Sequence, residues 1–117
     1  MFLFLYLRLL VDGKFETKFW GIVKVTDATG PGLRDTIKDF FTSQDVPMTS
    51  LTCMATDGAS VMTGDQGGCG VLVRHLANAF MLLVHCIAHR HALACADAAK
   101  DNSIAEYFEA VLHDIIS

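Results

Sequence analysis

Leu51-Thr52-Cys53-Met54-Ala55-Thr56-Asp57-Gly58 is an apolar run that ends in a turn pair, and it indicates the architecture of the chain. Its first residues are of strand type, and a carboxylate and a glycine follow them, which predicts a short buried strand that ends in a turn. A glycine-rich loop over residues 64–70 comes next, then a helix over residues 71–79 with Leu72 and Leu76 on one face. Residues 80–84 are a second candidate for a buried strand. This order predicts a sheet covered by helices.

The N-terminal part of the chain predicts a β-hairpin. Aromatic and β-branched residues fill positions 2–11 and 15–25, on either side of the turn pair Asp12-Gly13. A break at Gly30-Pro31-Gly32 is then followed by helical periodicity that Pro47 ends. The side chains that would share the apolar face of this helix are Leu33, Ile37, Phe40 and Phe41.

The C-terminal part of the chain predicts helices. Residues 86–100 are rich in alanine and contain no glycine or proline. Ser103 and Glu106 then form a capping-box signature for an amphipathic helix that continues to Ser117 without a closing glycine, as expected of a truncated chain. The apolar stripe of this helix would consist of Ile104, Tyr107, Phe108, Val111, Leu112 and Ile115.

Composition limits the classes of function. The chain has 117 residues, 52% of them hydrophobic, which is enough for one domain with a core. Its net charge is -4 and its basic residues are scattered, so we expect no strong independent binding to nucleic acid. The apolar start of the chain has no basic residues before it and no cleavage site after it, and it is too short to span a bilayer. We expect a buried strand there, with no secretion and no membrane partner.

The four cysteines indicate a reducing compartment. Cys53, Cys69, Cys86 and Cys95 lack the dense spacing of a secreted disulfide scaffold. Free thiols commonly pack as small hydrophobic side chains, and two of these four lie in apolar runs. The protein is therefore expected in the nucleus or the cytosol.

Asp57 is the best candidate for a functional side chain. Ligands and metals bind at the carboxyl ends of strands in open α/β sheets, and Mg²⁺ takes one or two protein carboxylates. A pair of such ions would hold the attacking and leaving oxygens of a phosphodiester. The alternative is structural, because Asp-Gly is a common turn pair and Asp caps helices well.

A second candidate is the cluster of His85, Cys86, His89 and His91. On a helix, His85 and His89 would share a face, as would Cys86 and His89. That geometry supplies two zinc ligands, whereas a structural site usually needs four. The other His and Cys side chains are isolated in the sequence, so packed or hydrogen-bonded roles are favoured. A nucleophilic pair of Cys86 with a histidine is a further alternative, without an identifiable orienting group.

Two blocks together carry a resemblance to a known family. They are Thr56-Asp57-Gly58-Ala59-Ser60-Val61-Met62-Thr63-Gly64 and His85-Cys86-Ile87-Ala88-His89-Arg90. In this order they resemble the catalytic core of hAT-type transposases (the hobo/Activator superfamily) and the domesticated vertebrate zinc-finger proteins descended from them. The resemblance covers roughly residues 3–100. It implies that residues 1–100 are a partial, truncated ribonuclease-H-like core and that residues 101–117 begin a truncated helical insertion.

The resemblance also implies a mechanism and shows what this chain lacks. The family uses two aspartates and a glutamate to bind Mg²⁺ or Mn²⁺, and Asp57 matches the second aspartate. Cys86 and His89 match its Cys-x-x-His element. Neither Asp12 nor Asp27 matches the first acid, and Glu106 and Glu109 come too early for the last.

We therefore expect a non-catalytic transposon-derived fragment that acts through protein contacts or self-association by its C-terminal helix, with no cofactor when isolated. The alternative is part of a metal-dependent DNA transposase or nuclease, with Asp57 as one metal-binding acid and with Mg²⁺ or Mn²⁺ bound once the site is completed.

Overall fold

The computed structural model describes residues 1–100 and 102–116, without the side chains of Ala105, Glu106 and Glu109. Its N-terminal segment consists of strands, its C-terminal segment of helices, and both kinds of element lie between them. In chain order the elements are β1 (Phe2–Val11), β2 (Lys14–Lys24), α1 (Gly30–Ser43), a short 3-10 helix (Met48–Ser50), β3 (Cys53–Thr56), α2 (Ser60–Thr63), α3 (Cys69–Ala77), β4 (Leu82–His85), α4 (Ile87–Lys100) and α5 (Ser103–Ile116). The predicted mixed α/β class is confirmed.

The hairpin of β1 and β2 turns at the predicted pair. The two strands are antiparallel, and Val11 opposes Lys14 across the turn. Asp12 and Gly13 both have positive φ, 49° and 77°. A two-residue turn of this kind matches the right-handed twist of the flanking strands, and Asp-Gly adopts it at little cost.

A bulge in β2 places Trp20 in contact with α1. The register shifts after Leu5 and leaves Trp20 without a residue opposite it. The indole of Trp20 lies edge-on to the rings of Phe40 and Phe41, with centroids 4.9 and 4.8 Å away. A Cβ at Gly21 would lie 2.9 Å from Cζ of Phe40, so glycine lets the strand approach the helix closely.

Helix α1 packs its predicted apolar face on the open end of the hairpin, around Leu3 and Trp20, whereas residues 14–19 nearer the turn are exposed. Its N-cap is Thr29, whose hydroxyl accepts a hydrogen bond of 3.2 Å from the N–H of Gly32. Leu33, Ile37 and Phe41 are buried, which confirms the predicted periodicity. Phe40 is half-buried because it faces the hairpin rather than the rest of the core.

Strands β3 and β4 form a parallel pair joined through α2 and α3. The predicted helix over residues 71–79 exists, but it begins at Cys69 and ends at Ala77. The predicted face is wrong, since Leu72 is half-buried and Leu76 is 38% exposed. The earlier start turns Cys69, Val73 and Ala77 toward the core instead, at spacings of one helical turn.

One core lies between α1, α3 and the strands. Its buried members are Val25, Leu33, Ile37, Phe41, Cys69, Val73, Ala77 and Met81. Leu3 and Trp20 of the hairpin pack against this cluster, and so does Met54 of β3. The strands nevertheless form two separate two-stranded sheets, where the sequence predicted one. Each pairing is made by its own connection, a tight turn or a helical crossover, and none of the described strands bridges the two sheets.

The prediction that the apolar strands are buried is wrong for one side of the hairpin and for the first three residues of β4. Exposure alternates along β1, with Leu3, Leu5 and Leu7 half-buried and their neighbours exposed. In β3, Cys53 is exposed, and in β4, Leu82 is 65% exposed. The reason is that α1 and α3 supply the helical cover, and a helical layer covers one face of a sheet.

The two C-terminal helices contact each other, but their apolar stripe faces outward. Ile104, Tyr107 and Phe108 are all more than 60% exposed. The acceptor at the start of α5 is Asn102, whose Oδ1 receives a 3.0 Å hydrogen bond from the N–H of Ile104. This replaces the predicted cap by Ser103. The predicted partner side chain, Glu106, lies outside the described residues, as do Asp101 and Ser117, the ends of the predicted second segment.

None of the helices in the described part of the chain is long and apolar enough to cross a membrane.

Candidate functional site

Asp57 lies at the carboxyl edge of the sheet formed by β3 and β4. The register pairs Thr56, the last residue of β3, with His85, the last residue of β4. The N–H of Cys86 donates a 2.7 Å hydrogen bond to the carbonyl of Thr56. Asp57 and Cys86 therefore leave the sheet side by side, at the edge where open α/β sheets bind their ligands. The predicted position of Asp57 at the end of a strand is confirmed.

The carboxylate of Asp57 also serves the turn that follows β3. Asp57 is exposed, and its Oδ1 accepts a 3.2 Å hydrogen bond from the N–H of Ala59. Gly58 between them has a φ of 69°, a conformation that glycine adopts without strain. The N-cap of α2 is Ala59, so Asp57 does not cap this helix. Of the two structural roles that the sequence allows, the turn role is therefore present and the helix-cap role is not, and the exposed side chain can still contact a ligand.

His85 lies directly beneath this turn. A Cβ at Gly58 would fall on the imidazole ring of His85, so the glycine makes room for the histidine. The Nε2 atom of His85 is buried and has no hydrogen-bond partner among the described residues. The ring centroid of His89 lies 5.9 Å from that of His85. The expectation that both stand on one helix is wrong, because His85 ends β4 and α4 begins at Ile87.

The Cys-x-x-His pair spans the entrance to α4. Cys86 is half-buried and precedes the helix, and its carbonyl accepts a 3.0 Å hydrogen bond from the N–H of Arg90. His89 is exposed in the first helical turn. Among the described residues, no three His, Cys, Asp or Glu side chains come together in a group that could hold a metal ion. Asp57 by itself does not fit a Mg²⁺ or Mn²⁺ site, which would need further oxygen ligands.

Two cysteines have surroundings that sequence reasoning missed. Cys95 is not isolated, because its Sγ lies 3.7 Å from Nδ1 of His91, one turn earlier on α4. Both side chains are exposed. Cys69 is fully buried against the core, and this burial raises the pKa of its thiol to about 11, although Arg34 acts in the opposite direction. Cys69 is therefore a neutral packing residue at physiological pH.

An open cleft of about 390 Å³ lies beside the candidate acid, between the β3–β4 pair and the helices α2 and α3. Its polar lining includes Thr56, Asp65, Arg74 and His85. A cleft of this size can hold a small molecule. However, the lining places an acid and a base in the same space, so it selects no single class of ligand. The sequence did not predict Arg74 as part of this cleft, because the face of α3 on which Arg74 lies depends on the residue at which the helix begins.

The largest functional candidate is a surface, which we call the outer face of the hairpin. It comprises the β1 and β2 side chains that point away from α1, paired across the strands by the register. Its large apolar members are between 53% and 69% exposed. They are Phe2, Phe4, Tyr6, Leu10, Phe15, Phe19 and Ile22. Arg8, Thr17 and Lys24 complete this face, and the guanidinium of Arg8 lies 5.3 Å from the ring centroid of Phe15.

Comparisons of the chain with protein-family models, with curated proteins and with solved structures found no match. A function for this chain is therefore inferred from the geometry of the molecule and the motifs of its sequence.

Proposed function

We propose that this chain is a non-catalytic module derived from the ribonuclease-H-like core of a hAT-type transposase, and that it acts through protein contacts. The observation that carries the proposal is the outer face of the hairpin. Soluble monomers rarely expose contiguous apolar patches of more than a few hundred Å², and larger patches mark interaction sites. Aromatic side chains dominate this face, as they do at the centres of protein interfaces.

The order of the elements supports the origin proposed for the module. A hairpin, a covering helix and then a parallel β–α–β unit follow one another along the chain. The motif acid Asp57 stands at the end of the first parallel strand, and the His-Cys-x-x-His block begins at the end of the second. This order of elements along the chain is compatible with the resemblance, although the strands form two sheets where the resemblance implies one.

The proposal is tested by measuring whether the outer face is covered in cells. Tyr6→Cys places a thiol at the centre of this face, in a background where the exposed Cys53 and Cys95 are replaced by serine. A cell-permeant maleimide should label position 6 roughly tenfold more slowly in cells than in dilute purified protein, since a contact worth ~1.4 kcal/mol protects to that degree. The control, Lys38→Cys on exposed α1 surface, should label at similar rates in both settings.

The opposite result is equally informative. If position 6 is labelled in cells as fast as in dilute solution, while position 38 behaves as the control should, no protein covers the outer face. The proposed function would then be wrong. The same pair of measurements with Tyr107→Cys examines α5, whose exposed stripe is our second candidate contact surface.

A second function is favoured by the position of Asp57. Its exposed carboxylate stands at the carboxyl edge of a parallel pair, where a metal-dependent nuclease would place a ligand. On this alternative the chain is part of a DNA transposase whose remaining acids come from other residues, and Asp57 would be one ligand of Mg²⁺ or Mn²⁺.

The alternative predicts that Asp57→Asn abolishes Mn²⁺-stimulated nicking of DNA. Asp39→Asn is a control, because Asp39 is also exposed but lies on α1, outside the cleft beside Asp57. Nicking that is unchanged by Asp57→Asn, or lost equally with Asp39→Asn, would remove Asp57 from the mechanism.

A further inference from the structure

We infer that the outer face of the hairpin is the interface of a homodimer, in which two copies of this chain stack their hairpins face to face. This inference rests on the proposed function and names the partner as a second copy. Three observations carry it: the apolar area of the face, the positions of its charges, and the one-sided cover of the hairpin.

The area of the face matches what a stable dimer needs. The apolar side chains of the outer face are between 53% and 69% exposed. Large aromatic and aliphatic side chains bury on the order of 200 Å² each, so together they offer roughly 800 Å² per copy. A standard stable interface buries about 800 Å² on each partner. Complete burial of this face would therefore suffice without help from another surface.

Arg8 and Lys24, the two cations of the outer face, lie where they would not face each other across a dimer interface. In one possible dimer, the two-fold axis lies in the interface, perpendicular to the strands and through Tyr6. Strand β1 of one copy then lies over β1 of the other copy and runs in the opposite direction. The register then puts Arg8 of one copy opposite Phe4 of the other, and Lys24 opposite Phe15. Both cations meet aromatic rings, and such contacts are favourable by about 0.5–2 kcal/mol when desolvated.

The other possible stacking is equally free of like charges. A two-fold axis parallel to the strands lays β1 of one copy over β2 of the other. Arg8 then faces Thr17, and Lys24 faces Phe2. A patch that contacts itself must be self-complementary, because the same surface is used by both subunits. The outer face meets this condition in both arrangements.

The cover of the hairpin gives the physical reason for dimerisation. Trp20 and Leu3 pack the inner face against the core, while the outer face has no layer over it among the described residues. Helix α1 already supplies one packed layer to the hairpin, but the apolar side chains of the outer face remain in water, and a second layer that buries them lowers the free energy. A second hairpin stacked at about 10 Å supplies this layer, as in aligned sheet packing.

Sedimentation of the purified full chain tests the inference. Interfaces of this size associate at micromolar concentrations. As the protein concentration is raised from about 1 to about 100 μM, the average mass should therefore rise from 12.8 kDa toward twice that value. The double variant Phe4→Thr/Phe19→Thr keeps β-forming residues on the strands and should weaken the dimer at least roughly tenfold. Phe80→Thr is the matched control, since Phe80 is 92% exposed outside the hairpin, and it should leave the dimer intact.

A cross-linking measurement covers the case in which the double variant does not fold. With the axis across the strands, Tyr6→Cys should form an intermolecular disulfide on mild oxidation. With the axis along the strands, a mixture of the Tyr6→Cys and Phe19→Cys variants should instead form a disulfide between position 6 of one copy and position 19 of the other. Phe80→Cys should form neither product. Both tests use a background in which Cys53 and Cys95 are serine.

Three results would overturn the inference. The first is a wild-type chain that stays monomeric over the whole concentration range. The second is dimerisation that Phe80→Thr weakens as much as the double variant does. The third is dimerisation without a cross-link at position 6 or 19. A monomeric purified chain whose position 6 is still protected in cells would overturn the homodimer alone and leave the proposed contact function standing.

Discussion

The two faces of the hairpin carry similar side chains in opposite surroundings. On the inner face, Trp20 lies edge-on to Phe41 at 4.8 Å, within the core. On the outer face, Tyr6 and Phe19 form an edge-on pair at 5.4 Å, and both rings are more than half exposed. Ring geometry therefore does not distinguish the core from a surface. The distinction comes from α1, which packs on one side of the strands.

The first prediction tests this contrast by truncating one ring on each face. Trp20→Ala should lower the free energy of unfolding by about 3 kcal/mol, because it leaves a cavity against Phe40 and Phe41. Tyr6→Ala should cost about 1 kcal/mol or less, since it removes only a cross-strand ring contact. Chemical denaturation at a protein concentration below self-association measures both values.

Equal losses from Trp20→Ala and Tyr6→Ala would contradict the contrast. Such a result would mean that both faces are covered even in the dilute protein.

The second prediction adds atoms to the inner face instead of removing them. Gly21→Ala should destabilise the protein by about 2 kcal/mol, because its Cβ would lie 2.9 Å from Cζ of Phe40. Gly67→Ala is a matched control, as a Cβ at Gly67 meets nothing within 4 Å. The midpoint of urea unfolding, compared between the two variants, reports the difference.

A double variant sharpens this measurement. Phe40→Leu should relieve part of the clash, so Gly21→Ala should cost less in that background than in the wild type. The same cost in both backgrounds would show that the strand does not approach α1 at this point.

The third prediction concerns α3, the helix that packs on α1 in the core. The folded-state pKa of Cys69 is raised to about 11 from 9.0 because burial disfavours the thiolate. The stabilisation from the neutral thiol is therefore complete below pH 9 and is lost as the pH rises from 9 to 11. At pH 10 the loss should be about 1 kcal/mol relative to pH 8.

Cys69→Ala should remove this part of the pH dependence, whereas Cys53→Ala should retain it because Cys53 is exposed. Unfolding free energies at pH 8 and pH 10 for both variants provide the comparison. An identical pH dependence in the two variants would show that Cys69 is not buried in the folded protein.

Features set by local chemistry were predictable from the sequence. Asp12-Gly13 supplies the two positive φ angles of the hairpin turn. Gly30-Pro31-Gly32 was predicted as a break before the helix, but these residues form its first turn, with Thr29 as the N-cap. Asp57-Gly58 likewise ends β3, which placed the candidate acid correctly. These features depend mainly on residues close together in the chain.

Features set by distant contacts were not predictable in this way. The buried face of α3 was misplaced because its start depends on Cys69 packing in the core. His85 was expected on a helix, but pairing of β4 with β3 holds it in a strand beneath Gly58. The sequence offers one signal for this contact, a glycine after Asp57, which also suits an ordinary turn.

The α/β class, the hairpin, the helical periodicity of α1 and the position of Asp57 follow from the amino-acid sequence, because turn residues and apolar spacing act over short distances. The division of the strands into two sheets, and the side of the hairpin that is covered, depend on contacts between distant residues. The physical reason is that β1 is apolar on both sides, so its pattern cannot say which side a helix will cover. That choice leaves the outer face of the hairpin exposed, and it is there that we propose a second copy binds.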